Sequence, residues 1–116
     1  MSYQNLYQIL NQRYELIKIL DESGTTSIVY MGRVIGTNQL VAIKIFREDY
    51  LREEKMAWDS LTQEISNLMN LQHRGIVQLF DYGNSGVITT PTGRILYKQV
   101  FIVMEYVEGG SLWDLT

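Results

Sequence analysis

Apolar and polar residues alternate along the first third of the chain. One alternating run, RYELIKIL, begins at Arg13, and a second, SIVYMGRVI, spans Ser27 to Ile35. Period-2 patterns rich in β-branched and aromatic residues are typical of half-buried strands. The segment DESGTT predicts the turn between these strands, and Gly36 and Asn38 predict a hairpin turn into a third strand, LVAIKIF.

A helical pattern replaces this alternation after Arg47, because neither glycine nor proline occurs again before Gly75. The segment predicts a helix of about four to five turns. Its apolar stripe follows the spacing i, i+4, i+8 and i+11, and the same stripe includes Glu64. The apolar members of the stripe are Ala57, Leu61, Ile65 and Leu68. The helix therefore carries a carboxylate on its buried face.

The second half of the chain predicts further strands. A strand is expected over Ile76–Tyr82, closed by Gly83, and a long hairpin in VITTPTGRILYKQVFIVMEYV. In that hairpin, Pro91 and Gly93 suit positions i+1 and i+3 of a type I turn. The predicted fold is α+β, a five-stranded antiparallel sheet with one main helix. Residues 1–12 are expected to form an arm or a short amphipathic helix.

Composition and charge exclude several kinds of protein. The chain has 116 residues, 46% of them hydrophobic and 20% charged, which fits one globular domain. A net charge of -3 provides no attraction to nucleic acid or an anionic membrane. The absence of cysteine and the single histidine argue against disulfides and clustered metal ligands. Apolar runs such as VFIVM fall far short of the roughly 20 residues of a membrane span. An intracellular, cytoplasmic setting is expected.

One lysine interrupts the apolar strand VAIKIF. Strand alternation puts Ala42 and Lys44 on one face and the branched residues on the other. Burying an unpaired ammonium is unfavourable by roughly several kcal/mol or more. Because Glu64 also faces inward, we interpret the two groups as an ion pair. The alternatives are that Lys44 is an edge-strand charge that prevents aggregation and that Glu64 is an ordinary solvated residue.

Three ordered motifs resemble the amino-terminal lobe of eukaryotic protein kinases. They are VAIK, then QEISNLMNLQHRGIVQLFDYG from Gln63, then FIVMEYVEGGSL from Phe101. The resemblance extends from Arg13 to the last residue. It implies that residues 13–116 form the ATP-binding lobe as far as the hinge and the start of the next helix, without the carboxy-terminal lobe.

The resemblance also implies roles for individual residues. Lys44 matches the lysine that holds the α- and β-phosphates of ATP, and Glu64 matches the glutamate that orients it. Met104 matches the gatekeeper residue beside the adenine pocket, and His73 matches a packing histidine in the turn after the helix. The residues that match the cover of the adenine ring are Leu20, Val29 and Ala42. The residues that match the hinge, whose backbone binds adenine, are Glu105, Tyr106 and Val107.

Beyond the hinge, Gly109 and Gly110 match a flexible exit, and Ser111 matches a position that contacts ribose. Ser111 also suits the N-cap of a helix in SLWDL, with Asp114 three residues later. Both roles are compatible with the sequence.

The loop that should contact phosphate departs from the family. The family has GxGxxGxV, whereas this chain has ESGTTSIV, in which only Gly24 remains and Glu22 and Ser27 replace the other glycines. A carboxylate near a triphosphate raises the local negative charge. The spacing from Leu20 is also one residue longer than expected. A plain hairpin turn without a ligand remains the alternative for this loop.

The HRDxxxxN and DFG motifs of kinases do not occur in the chain. No catalytic base or Mg²⁺ ligand can be assigned, so these 116 residues alone should be inactive, and Mg²⁺ is expected only with the carboxy-terminal lobe. The expected function is the ATP-binding part of a kinase that phosphorylates protein hydroxyls, serine or threonine being favoured over tyrosine.

Two other classes of function are alternatives for this sequence. One is a kinase-like scaffold or regulatory module with weakened nucleotide binding, which the changes at Glu22 and Ser27 suggest. The other is a small nucleic-acid module, which has little support without a basic, aromatic strand face. Apolar surface along the helix and under the hinge is expected to be exposed.

Overall fold

The computed structural model describes residues 7–48 and 54–108, with only the helical backbone for 54–57. This part of the chain contains six strands and one helix. They are β1 (Gln8–Leu10), β2 (Tyr14–Asp21), β3 (Ser27–Val34), β4 (Leu40–Phe46), α1 (Glu54–His73), β5 (Leu79–Thr89) and β6 (Ile95–Glu105).

The six strands form a closed antiparallel barrel in the order β1-β2-β3-β4-β6-β5. Closure depends on β1, which pairs with β2 along one edge and with Ile88 and Thr89 of β5 along the other. The prediction of a five-stranded sheet was therefore wrong. The expected arm or helix over residues 1–12 lies partly outside the described residues, which begin at residue 7. Its described part contains a strand from Gln8 to Leu10, a segment too short to show a periodic pattern.

Strand β5 also differs from the prediction. It begins at Leu79 and runs through Gly83 and Gly86 to Thr89, so the predicted strand and the first arm of the hairpin are one irregular strand. The turn that follows agrees with the prediction. The Gly93 amide donates to the Thr90 carbonyl at 3.0 Å, which places Pro91 at position i+1 of the turn.

Two apolar clusters form the core, one inside the barrel and one on its helix-facing side. The interior cluster draws only on strands and includes Leu10, Tyr14, Leu16, Val41, Ile43, Ile45, Ile88, Phe101 and Val103. The outer cluster combines one face of the sheet with the helix. Its buried members are Val29, Ala42, Phe46, Leu61, Ile65, Leu68, Val77, Val100, Ile102 and Met104. Alternation along β4 therefore divides its side chains between the two clusters as predicted.

Helix α1 packs against the sheet through the predicted apolar stripe. Leu61, Ile65 and Leu68 are buried, whereas the side chain of Ala57 lies outside the described residues. The helix ends in a Schellman motif: Gly75 has φ +73°, and the Ile76 amide donates to the Leu71 carbonyl at 2.9 Å.

His73 departs from its expected place. It is the last residue of α1 and exposed, instead of packing in the following turn.

The exposed face of α1 confirms part of the surface prediction. Trp58 and Met69, eleven residues apart and so on one side of the helix, are both about half exposed. Across the described ranges, none of the helical structure is long and apolar enough to cross a membrane.

Candidate functional site

Lys44 and Glu64 form the predicted ion pair. Lys44 lies in β4, between β3 and β6, and its Nζ is 2.8 Å from Glu64 Oε1 on α1. The two side chains are only 5% and 15% exposed. Nζ also lies 5.7 Å from the centroid of the Phe46 ring, within the range of a cation–π contact. The ammonium is thus held in a largely apolar place by one carboxylate and one aromatic face.

The second oxygen of Glu64 is less well satisfied. Oε2 is buried and accepts no hydrogen bond from the residues that the structure describes. A buried acceptor without a donor costs about 1–3 kcal/mol. This cost is a further sign that the ion pair is not present for stability alone.

An apolar wall adjoins the ion pair. Val29 is the register partner of Lys44, and Ala42 is the partner of Met104. All three apolar residues are buried in the outer cluster, and Leu20 packs against it from β2. A cation beside a shallow apolar wall suits a ligand that has both a flat ring and an anionic group. The four residues expected to surround adenine are thus together, within one cluster that also borders Lys44.

The hinge segment begins where β6 ends. The Glu105 amide donates to the Gln78 carbonyl at 2.8 Å, and Glu105 Oε1 accepts from the Gln78 amide at 3.2 Å. This double contact fixes the start of the hinge against the segment before β5. Tyr106 and Val107 follow outside the strand and are half-buried.

Three of the residues expected beyond the hinge cannot be placed. Gly109, Gly110 and Ser111 lie outside the described residues.

The loop between β2 and β3 does not depend on glycine in this structure. Gly24 is exposed and does not adopt a positive φ, and a Cβ there would meet the Ser27 carbonyl oxygen at 3.6 Å, an ordinary contact. The longer spacing before the loop appears as a β-bulge. Ile19 pairs with Tyr30 and Asp21 pairs with Val29, which leaves Leu20 as the extra residue.

Residues 7–48 and 54–108 contain no group of three or more acidic or histidine side chains that could hold a metal ion. In the same described part of the chain, a buried cation and buried apolar residues lie side by side, a combination that can contact both the phosphates and the flat ring of a nucleotide.

A cavity of about 620 Å³ lies elsewhere, near the β1–β2 turn. It is lined by residues that include Arg13, Val41 and Phe80, and neither Lys44 nor Glu64 contributes to it. The volume of this cavity does not indicate a chemical function, whereas the ion pair of Lys44 and Glu64 indicates a binding site for an anionic group.

Residues 14–116 match the model of the protein kinase domain. This chain belongs to the protein kinase family. It corresponds to the amino-terminal lobe of the kinase domain, and the lysine and glutamate motifs that suggested the family are those that meet in the ion pair.

Curated kinases from distant organisms are similar to this kinase lobe. Serine/threonine-protein kinase cds1 of Schizosaccharomyces pombe is 33% identical over 116 residues, covering 97% of this chain and 23% of the relative. CBL-interacting protein kinase 10 of Oryza sativa is 37% identical over 107 residues, covering 91% and 21%. Serine/threonine-protein kinase PknB of Mycolicibacterium smegmatis is 35% identical over 108 residues, covering 93% and 16%. The chain spans less than a quarter of the length of these relatives.

Sequence reasoning missed two contributors to the site region. Phe46 was counted only as an apolar strand residue, yet its ring faces the Lys44 ammonium. Arg47 directly follows the predicted strand LVAIKIF and has no predicted role, yet its side chain contacts the loop after β2. Neither contact has a local signal, because each depends on how the strands pack.

Proposed function

We propose that this lobe binds ATP for a protein kinase that transfers the γ-phosphate to a protein hydroxyl. The observation that carries the proposal is the buried pair of Lys44 and Glu64 beside the apolar wall. A buried ion pair is seldom needed for stability, since apolar residues of similar volume often serve equally well. Its place next to Val29, Ala42 and Met104 is consistent with a task in ligand binding.

In this proposal the ligand lies between the wall and the ion pair. Lys44 holds the α- and β-phosphates, and Glu64 keeps the ammonium charged and aimed at them. The adenine ring is covered by Leu20, Val29, Ala42 and Met104. The backbone of Glu105 and Val107 hydrogen-bonds the adenine edge, and Ser111 contacts ribose.

The protein residues here bind and orient; they do not move the proton of the acceptor hydroxyl. Mg²⁺, when bound, neutralises charge on the phosphates, and its ligands and the catalytic base must come from residues outside the described lobe. The lobe alone is therefore expected to be inactive. Serine or threonine is the favoured acceptor because the relatives cds1 and PknB are named serine/threonine kinases.

A non-catalytic scaffold is the competing function. Its support is Glu22, which places a carboxylate in a loop that would face triphosphate. The guanidinium of Arg47 contacts the Glu22 and Gly24 carbonyls at 2.9 and 3.2 Å, so the same loop also carries a positive charge.

The test is phosphotransfer by the full-length protein from labelled Mg-ATP to a generic basic protein substrate. Lys44→Met is compared with Lys18→Met, which removes an exposed lysine from β2. We expect Lys44→Met to lower the rate by about 100-fold or more, because it removes a cation aimed at the phosphates. Lys18→Met should keep the wild-type rate.

Two results would contradict the proposal. Equal rates for wild type and Lys44→Met would mean that Lys44 has no part in the reaction. No transfer together with no ATP binding by the wild type would favour the scaffold.

A further inference from the structure

Arg47 contacts three successive parts of the loop between β2 and β3. Its Nη2 donates to the Glu22 carbonyl at 2.9 Å, and its Nε donates to the Gly24 carbonyl at 3.2 Å. Its backbone amide donates to the Thr26 carbonyl at 2.8 Å. One residue thus binds the loop along its whole length.

The side of the sheet on which Arg47 lies follows from the alternation in β4. Lys44 lies beside Phe46 and Glu64 on the helix-facing side. Arg47 follows the end of β4, and its amide extends the pairing of Phe46 with Ser27 by donating to the Thr26 carbonyl, so its side chain continues the alternation and projects to the opposite side. The surroundings of Tyr30, which packs against the interior cluster, agree with this. Burial raises the pKa of Tyr30, and the nearby Arg47 charge partly offsets that rise.

The direction of the loop carbonyls determines the direction of its amides. In a trans peptide, the carbonyl and the N–H of one unit point to opposite sides. A Gly24 carbonyl directed at Arg47 therefore turns the Thr25 N–H toward the side on which Lys44 lies. The Ser23 amide, two residues earlier, is already occupied, because it donates to Asp21 Oδ1 at 2.9 Å.

These contacts hold the loop in one conformation without glycine at positions 22 and 27. Within residues 22–27, no residue adopts a positive φ, so the loop does not use the backbone conformations that require glycine. Its shape is fixed from outside, by Asp21 at one end and by Arg47 across its middle. A planar guanidinium is suited to this because its donors diverge in a fixed fork and reach two carbonyls at once.

We propose that Arg47 is a positioning residue for the phosphates of ATP: its guanidinium holds the loop so that the Thr25 N–H faces the phosphates that Lys44 binds. This inference rests on the proposed function, and it adds the residue that replaces the glycine-rich sequence. Arg47 acts through the loop and does not touch the nucleotide.

The test uses the full-length protein and two ligands, ATP and adenosine, whose dissociation constants are measured by calorimetry. Arg47→Lys keeps the positive charge but loses the planar guanidinium donors, and Arg47→Met loses both the charge and the donors. Arg33→Met is the matched control. Arg33 is an arginine of β3 whose Nη2 lies 3.2 Å from Glu15 Oε2, and this pair is remote from the loop.

Both Arg47 variants should bind ATP about tenfold more weakly, the effect expected for one or two lost hydrogen bonds. Adenosine binding should change less than about twofold, since adenosine has no phosphate.

Two binding results would overturn the proposal. Wild-type ATP affinity in Arg47→Lys would mean that charge alone matters and that the fork positions nothing. Equal losses for ATP and adenosine would mean that Arg47 supports the lobe in general.

A second measurement separates this inference from the proposed function. The Ser23 amide is the reporter, because it donates to Asp21 Oδ1 and belongs to the peptide unit whose Glu22 carbonyl Arg47 binds. In the ligand-free protein its hydrogen exchange should be about fivefold faster or more in both Arg47 variants than in wild type and Arg33→Met. Unchanged exchange at Ser23 would overturn the hold of Arg47 on the loop, here called the Arg47 clamp, even if ATP binds. If the wild type fails to bind ATP, the proposed function and the phosphate role fall together, and the exchange result decides whether the clamp exists.

Discussion

At the scale of single residues, two polar pairs lie in otherwise apolar surroundings, and each depends on one close contact. Lys44 and Glu64 meet on the helix-facing side of the sheet. Tyr14 is buried in the barrel and donates its hydroxyl hydrogen to Asp81 Oδ2 at 2.9 Å. Burial raises the pKa of Tyr14, and the hydrogen bond to Asp81 raises it further.

The raised pKa of Tyr14 predicts an alkaline loss of stability. Below the ordinary tyrosine value of 10.0, the phenol is neutral in both states and its contribution is complete. Above 10.0, the unfolded chain ionises first, so stability falls as pH rises toward the higher folded-state pKa. Tyr14→Phe should make this fall shallower, and at pH 7 it should lower the thermal midpoint by about 2–4 °C through the lost hydrogen bond.

The measurement is the thermal midpoint of the full-length protein between pH 7 and 11. Tyr97→Phe is the control, because Tyr97 is 64% exposed. An identical pH profile for Tyr14→Phe and Tyr97→Phe would contradict this account of Tyr14.

The two residue pairs also show what sequence patterns can predict. Lys44 and Glu64 were paired because strand alternation and a helical stripe each indicated a buried charge. Tyr14 and Asp81 gave no such signal, because their strands are distant in sequence and meet only once the barrel has closed. The contact of Arg47 with the loop between β2 and β3 has no local signal either, because it depends on how the end of β4 packs beside that loop.

At the scale of elements, the β5–β6 hairpin shows a tertiary contact overriding a local rule. Glycine often marks the end or a bulge of a strand, yet β5 continues through Gly83 and Gly86. The ring of Phe101 on β6 fills the space beside them, and a Cβ at Gly86 would lie 2.7 Å from Phe101 Cδ1. Glycine is needed there for the aromatic side chain opposite, which the local sequence of β5 does not reveal.

Gly86→Ala is therefore expected to destabilise the protein. The added methyl group also lies 3.0 Å from the Gln99 carbonyl oxygen, so the barrel must shift, at a cost of about 1–3 kcal/mol. The thermal midpoint of the full-length protein should fall by several degrees. Gly24→Ala is the matched control, since its Cβ makes only an ordinary contact and its midpoint should stay unchanged or rise. Equal midpoints for both variants would contradict the packing argument.

At the scale of the whole molecule, the barrel extends beyond the matched kinase domain. That match begins at residue 14, whereas β1 spans Gln8–Leu10 and closes the barrel. Leu10 is fully buried in the interior cluster, and Asn11 holds the turn to β5 through its side chain, which accepts from the Val87 amide at 2.9 Å. The predicted strands over β2, β3 and β4 needed only local patterns, but closure needed a three-residue strand that no pattern marks.

Leu10→Ala should accordingly destabilise the protein by about 2–5 kcal/mol, as expected for a large-to-small change in a packed core. Leu40→Ala, at a position 39% exposed on β4, is the control and should cost much less. Thermal midpoints of the full-length variants provide the comparison. If Leu10→Ala is no more harmful than Leu40→Ala, β1 contributes little to the folded barrel.

The most direct test of the proposed nucleotide site is calorimetric titration of the full-length protein with ATP and with adenosine, in wild type and Lys44→Met. We expect the substitution to weaken ATP binding by about tenfold or more and to leave adenosine binding nearly unchanged, because the proposed contact of Lys44 is with the phosphates and not with the ring. Equal ATP affinity in the two proteins would contradict it.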